Sequence, residues 1–174
     1  MSKVFLYSDG GCRGNPGIGA WGYILAFKGV FLFEAGYSAE TTNNQMELTA
    51  IIRGLEQLSR PCQITLVSDS QYCINGMSKW LIGWKQKNYR NSKKEAVKNE
   101  DLWRQLDDLM TQHQFEYEWV KGHSDHLENE LCDLLANRMM DMAMNGITEP
   151  HVKHRFKGRI EDVSALIDEL TLGS

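Results

Sequence analysis

The sequence predicts an α/β domain on a mixed five-stranded sheet, three strands antiparallel and then two parallel, flanked by helices. Three observations carry that prediction. Near the start, "KVFLYSD", "AWGYILAFK" and "VFLFEAGYS" are short runs rich in branched and aromatic residues. They are separated only by a glycine-rich turn and by Lys28-Gly29, as antiparallel neighbours are. After them the apolar period becomes helical, and helices then alternate with two further strands, "QITLVSD" and "FEYEWVKG". Such an order implies one mixed sheet with helices packed on it.

Each element has its own justification. The first strand ends on Asp9 and runs into "DGGCRGNPG". Gly, Asn and Pro make this a turn, and a backbone so bare also suits a large object lying beside Asp9. In "TTNNQMELTAIIRGLEQL", Leu48, Ile51, Ile52, Leu55 and Leu58 recur at helical spacing. Thr41, Thr42 or Asn43 serves as the cap, and Pro61 closes the helix. Helical text is predicted from Ser70 through a basic segment to "NEDLWRQLDDLMTQ", and "HLENELCDLLANRMMDMAM" is a last amphipathic helix. Gly146 and Pro150 end it. Residues 1–145 are therefore the domain, and 146–174, with the basic "HVKHRFKGR" and the acidic-apolar "IEDVSALIDEL", an extension of unassigned role. Packing on the domain is favoured over a free docking segment.

With 174 residues, 42% hydrophobic and 24% charged, the chain reads as one globular domain. No membrane span and no leader are evident, so a cytoplasmic location is expected, and a monomer suffices. Cys12, Cys62, Cys73 and Cys132 are scattered, which argues against a zinc site or a disulfide framework. The net charge of −4 hides an asymmetry. Between Lys79 and Lys98, seven basic residues face one acid, giving +6 and leaving −10 for the remainder. Trp80, Trp84 and Tyr89 lie among them; cations neutralise phosphates while flat rings pack on sugars or bases, although a charge run also serves simply as a solvated face.

Four carboxylates stand out. Asp9 and Asp69 both sit where an apolar strand runs out; on neighbouring strands they would share one edge of the sheet. Glu47 borders the buried stripe of its helix, and Asp133 lies among Leu131, Leu134 and Leu135. Each alone reads as structural, the two strand-terminal aspartates as cap or turn residues. Carboxylates that converge without basic partners repel one another unless a divalent cation compensates, and oxygen donors suit magnesium or manganese. Acidic cluster, basic flank and bare loop together point to phosphodiester hydrolysis on a nucleic acid.

The motifs "DGGCRGNPG", "TTNNQMEL", "SDSQY", "KNEDLW" and "WVKGHSDHLENELCDLLA" resemble, in order and spacing over roughly residues 1 to 145, bacterial-type ribonuclease H, type 1. The resemblance implies a ribonuclease H-like fold and a magnesium-dependent endonuclease that cuts the RNA strand of RNA/DNA hybrids. Its products carry 5′-phosphate and 3′-hydroxyl ends, and its tasks are removal of RNA primers and R-loops. It implies that Asp9, Glu47, Asp69 and Asp133 hold two Mg²⁺ ions, with Mn²⁺ a substitute. It also implies that His123 assists proton transfer or product release.

By the same resemblance, Gly10, Cys12, Asn15, Asn43, Asn44 and Gln71 read the RNA sugars across the minor groove, where amides can meet a hydroxyl in either sense. For the DNA strand it implies an aromatic platform at Trp80 with Tyr72 beside it, and a phosphate pocket at Thr42 and Asn75. A basic protrusion spans about residues 80–98, with Trp84, Lys85 and Lys87 as its contacts. Glu40 departs from the pattern, because family members often carry a basic residue near that position. A basic surface near Arg60 would dock the acidic tail of single-stranded-DNA-binding protein. Beyond the reach of the resemblance, "HVKHRFKGR" holds four Lys or Arg without an acid and would add contacts to nucleic acid. Two alternatives differ in class: a non-catalytic hybrid-binding module, against which the full carboxylate set argues, and a transposase or exonuclease domain on the same fold, against which the basic protrusion and the "TNN" and "DSQY" text argue.

Overall fold

The computed structural model describes residues 1–122 and 126–172. Strands β1 (Ser2–Arg13), β2 (Gly17–Phe27) and β3 (Val30–Thr41) form an antiparallel meander. Strand β4 (Cys62–Ser68) lies parallel to β1, and β5 (Gln114–Trp119) parallel to β4. A further strand, β6 (Val152–Lys157), pairs antiparallel with β3, from Val30 opposite Lys157 to Ala35 opposite Val152. The spatial order is β5-β4-β1-β2-β3-β6.

Alternation along the strands feeds two cores. Val4 and Leu6 of β1 pack with α1 (Asn43–Leu55) and α4 (Glu100–Met110) on one face; Trp103 and Leu106 of α4 are fully buried there. Tyr7, Ile24 and Phe33 pack with α5 (Leu127–Met144) and α6 (Val163–Leu172) on the other. Helix α1 begins at Thr42, whose hydroxyl accepts from the Gln45 N–H at 3.2 Å. Among the described residues no helix is long and apolar enough to cross a membrane.

The sheet thus has six strands where the sequence predicts five. In "HVKHRFKGR" the charges mask a period of two: Val152, His154 and Phe156 are half-buried, while Lys153, Arg155 and Lys157 between them are exposed. Lysine and arginine on the open side of an edge strand also discourage pairing with other chains. The extension is fastened beyond its strand. Val163 and Ile167 of α6 are fully buried, and Arg138 of α5 meets Asp168 at 2.8 Å. His151 Nε2 lies 2.6 Å from Glu34, a buried carboxylate that also accepts from the Tyr23 hydroxyl at 2.8 Å.

The continuous helical text expected after Ser70 is also corrected. Helix α2 (Gln71–Asn75), a π-helical turn (Gly76–Trp80) and α3 (Leu81–Gln86) run on, but residues 87–99 form a loop. Asn88 and Tyr89 take left-handed backbone angles, and the Tyr89 N–H closes onto the Trp84 carbonyl. Burial of Tyr89 and Val97 then folds the loop back over the helices.

Candidate metal and nucleic-acid site

The parallel register sets Ser8 beside Ser68, so the residues that follow, Asp9 and Asp69, leave adjacent strands at the same edge. Two clamps hold that edge. The Trp119 indole donates to the Asp69 carbonyl at 3.1 Å, and the Asn129 amide reaches both the Ser8 and Val67 carbonyls at 3.4 Å.

Two glycines bring the remaining carboxylates in. A β-carbon on Gly10 would lie 2.4 Å from the Met46 carbonyl carbon and 2.6 Å from the Glu47 nitrogen. Only a bare backbone lets α1 settle there and deliver Glu47 beside Asp9. Gly22, opposite Asp9 in the β1–β2 register, does the same for α5: a β-carbon there would lie 3.0 Å from the Cys132 carbonyl oxygen. That approach carries Asp133 to the same cavity, of about 320 Å³, lined also by Asp9, Glu47 and Asp69. The bare stretch at Gly10 therefore accommodates a helix of this chain. Gly10→Ala is expected to push α1 off β1, lowering kcat/KM at least about tenfold and stability by about 1–3 kcal/mol, as cleavage kinetics and thermal unfolding would show.

Oxygen atoms of Asp9, Glu47 and Asp69 all lie within 4.8 Å of one another. Burial, then the charges of Asp69 and Asp133, push Asp9 up to about 8. Glu47 is held well above the usual carboxylate range, chiefly by burial and then by the charge of Asp9. One Glu47 oxygen, Oε2, is buried with no hydrogen-bond partner, and among the described residues no lysine or arginine pairs with Asp9 or Glu47. An all-oxygen set with an orphaned buried acceptor fits a hard divalent cation, which would replace the protons that the cluster otherwise retains.

Around this centre the polar residues knit together. The Cys12 N–H donates to Asn43 Oδ1 at 2.9 Å, and the Asn43 N–H to Asn15 Oδ1 at 3.1 Å. Asn44 is exposed beside them, and Gln71 is exposed just beyond Asp69. Trp80, 40% exposed, leaves its ring available; Tyr72 and Trp84 lie against it, with centroids 6.1 and 5.8 Å away. The Tyr72 hydroxyl is turned to the interior, accepting from Trp103 Nε1 at 3.0 Å and from Asn99 Nδ2 at 3.1 Å.

Asn99 was not among the predicted residues. Its Oδ1 accepts from Gln45 Nε2 at 3.3 Å, and the Gln45 N–H is the one that Thr42 caps. Asn99 is thereby linked to the Thr42 turn through Gln45. Its sequence signals are its place inside the motif "KNEDLW" and just before the helix. Of the protrusion residues, Lys87 is exposed, while Lys85 is drawn to Asp107 of α4 at 3.2 Å. His123 lies outside the described residues.

An α/β sheet with carboxylates clustered at one edge, beside an aromatic and basic shelf, defines a metal-dependent nuclease of the ribonuclease H-like class. The sequence model of the RNase H family matches residues 1–141, and the chain belongs to the ribonuclease H family. A Ribonuclease H of Hydrogenovibrio crunogenus is 52% identical over 141 residues, covering 81% of this chain and 97% of that protein. One from Legionella pneumophila is 54% identical over 135 residues, covering 78% and 94%. Among solved structures, a type 1 RNase H with the type 2 active-site motif superposes with a TM-score of 0.76 at 26% identity, covering 95% of this chain and 82% of that one. The likeness to that structure therefore extends into the C-terminal extension. The N-terminal RNase H domain of a Mycobacterium tuberculosis protein gives a TM-score of 0.63 at 27% identity, covering 85% and 100%.

Proposed function

We propose that this chain cuts the RNA strand of RNA/DNA hybrids in the cytoplasm, endonucleolytically, with Asp9, Glu47, Asp69 and Asp133 holding two Mg²⁺ ions. The observation that carries this reading is the convergence of three carboxylates within 4.8 Å around an orphaned Glu47 oxygen. Two such ions supply activation of the attacking water and stabilisation of the leaving oxygen, which departs as a 3′-hydroxyl. His123 moves the proton or assists product release.

The chain's own residues do the rest. Cys12, Asn15, Asn43, Asn44 and Gln71 meet 2′-hydroxyls on the strand to be cut, with the Gly10 backbone next to them. Trp80, backed by Tyr72 and Trp84, stacks under the DNA strand. Thr42 and Asn75 hold a DNA phosphate, with Asn99 bracing the Thr42 turn through Gln45, and Glu40 nearby weakens the grip. Lys87 contacts the hybrid further out, and Lys85 does so at the cost of its pairing with Asp107. The test is cleavage of hybrid, duplex RNA and duplex DNA, each with Mg²⁺ and with chelator. Cutting of the RNA strand in the hybrid alone, lost with chelator, supports the reading; indifference to which strand is RNA refutes it.

A groove of about 410 Å³ favours the docking of single-stranded-DNA-binding protein by its acidic tail. Leu25, Leu32 and Leu58 give it an apolar lining, and exposed Arg60 and Arg155 supply positive charge. Lys153 of the extension, opposite Glu34 in the sheet, donates to Gln57 at 2.7 Å in the same region. Cys62, just past Arg60, pairs with Ser2, seven residues back along β1 from Asp9, about 23 Å at strand rise, and Arg155 is level with Leu6 three strands across, so these two arginines stand well away from the carboxylates. That distance suits a protein tail better than the hybrid at the cut. Arg60→Ala with Arg155→Ala is expected to weaken an acidic-apolar peptide about tenfold or more, read by fluorescence anisotropy, while cleavage of short hybrids is unchanged.

A further inference from the structure

Arg13 is the one charged side chain between Gly10 and Gly17, and it reaches across to α5. Its Nη2 lies 2.7 Å from Asp141 Oδ1, and 3.4 and 3.5 Å from the side-chain and main-chain oxygens of Asn137. Its Nη1 lies 3.0 Å from Met144 Sδ. Residues 137, 141 and 144 fall on one stripe of the helix, and the same stripe, one turn earlier, carries Asp133. Asn137 continues the connection by donating from Nδ2 to the Asp133 carbonyl at 2.9 Å. Arg13, Asn137 and Asp133 line the same cavity as the other carboxylates.

Arg13 ends β1, paired with Ile18 of β2, and the loop that follows it is tied on two further sides. Cys12, Asn15 and Asn43 fasten it to the start of α1, the helix of Glu47. Arg13 fastens it to α5, the helix of Asp133. We propose that Arg13 is a positioning residue: its guanidinium fixes the sugar-reading loop against α5, setting the distance between the ribose that is read and the carboxylates that cut. This rests on the reading of Asp9, Glu47, Asp69 and Asp133 as the cutting site.

The physical argument is one of leverage. A half-exposed ion pair contributes little to global stability, so its loss registers weakly in unfolding. A displacement of about 1 Å between reading groups and reacting groups, in contrast, costs on the order of a hundredfold in the worst case. The planar guanidinium spans Asp141 and Asn137 on successive turns. Lysine can satisfy Asp141 alone.

The test is steady-state cleavage of a defined hybrid by the full chain carrying Arg13→Ala, Arg13→Lys, Asp141→Asn, or Arg13→Ala with Asp141→Asn. Arg13→Ala is expected to lower kcat/KM about tenfold, chiefly through kcat, and to spread the cut over neighbouring phosphodiesters, with Tm little changed. Arg13→Lys recovers part of that loss. Asp141→Asn lowers kcat/KM in the same direction, and the double variant is no worse than Arg13→Ala, since both remove one tie. An unchanged or raised kcat/KM for Asp141→Asn overturns the proposal, because a guanidinium acting directly on a phosphate would profit from losing its carboxylate partner. Loss of activity that follows Tm and vanishes on cooling also overturns it. Asp133→Asn run alongside separates the two readings: if it cleaves normally the site assignment fails, whereas a dead Asp133→Asn with normal Arg13→Ala removes only the role of Arg13.

Discussion

Replacing Asp9 with asparagine is expected to reduce hybrid cleavage roughly a thousandfold or more while leaving hybrid affinity largely intact and making the metal-free protein more stable at neutral pH. The affinity survives because the grip is spread over the loop, the start of α1, the tryptophan platform and the protrusion. The gain in stability follows from the raised pKa. In the folded chain Asp9 is pushed from an ordinary value of 3.8 to about 8, first by burial and then by the charges of Asp69 and Asp133. A carboxyl shifted upward binds its proton more tightly folded than unfolded. It costs nothing below the unfolded value, and its penalty grows as pH rises from there to about 8. Asparagine removes the penalty, so the variant should gain on the order of 2 kcal/mol near pH 8, or about 5 °C in Tm, and little near pH 4. Mg²⁺ should do to the parent protein what the substitution does, raising Tm more at pH 8 than at pH 5, with little effect on the variant. Calorimetric melting across pH, with and without Mg²⁺, checks both signs; an equal gain at pH 4 and pH 8 would show that charge is not the cause.

His113 supplies the opposite sign. Burial lowers its affinity for a proton, and its neutral Nδ1 accepts from the Cys62 N–H at 3.0 Å. A histidine shifted downward contributes stability that is present above the unfolded value and lost as pH falls through it. The two groups together predict a stability optimum for the metal-free chain on the acidic side of neutral, and a broader one once Mg²⁺ relieves the carboxylates.

The parts of this site that could be read from the sequence are those whose chemistry contradicts their local setting. Asp9 and Asp69 end apolar strands, Glu47 intrudes at the border of a buried stripe, and Asp133 sits among leucines; each is a local misfit, and misfits survive in a linear text. What could not be read depends on contacts across long sequence separations. Asn99 matters because Gln45 and Tyr72 reach it from 54 and 27 residues away. Arg13 looked like a loop charge because its partners lie more than 120 residues on. The glycines after Asp9 read as a turn or as room for a large object, whereas Gly10 makes room for α1, and Gly22, which carries no signal in the sequence, makes room for α5; a glycine in sequence says that something approaches and not what. The sixth strand escaped because three apolar residues alternating with three charges look like a basic patch.

Deleting residues 147–174 is expected to lower Tm by roughly 10 °C and to make the chain prone to aggregation, yet to leave kcat at low temperature near that of the full protein. The loss comes from two buried contacts and one edge. Val163 and Ile167 are fully buried against the α5 face, and each such side chain contributes about 1.5–3 kcal/mol. Without them, part of the surface of Met139, Met140 and Phe33 returns to water. Removing β6 strips the hydrogen-bonding partner from β3 between Val30 and Ala35 and presents an unpaired apolar edge to other chains. Glu34 also loses His151, and Arg138 loses Asp168. Against this, the released chain regains conformational entropy, which is why the net is set at about 3 kcal/mol and not at the sum of the contacts. The catalytic edge is spared because β2 and β3 stand between β6 and β1, although Val152 of β6 is level with Asp9 through Ala35 and Gly22. Ile167→Ala separates packing from the rest: it should cost about 2–3 kcal/mol by itself, bounded by the net contribution of the whole extension, while the groove with Arg155 remains. A deletion variant that melts with the full chain would mean that the extension rides on a sheet already complete without it. If kcat instead fell in step with the deletion even in the cold, α5 would depend on α6 to hold Asp133, and the extension would be part of the catalytic frame.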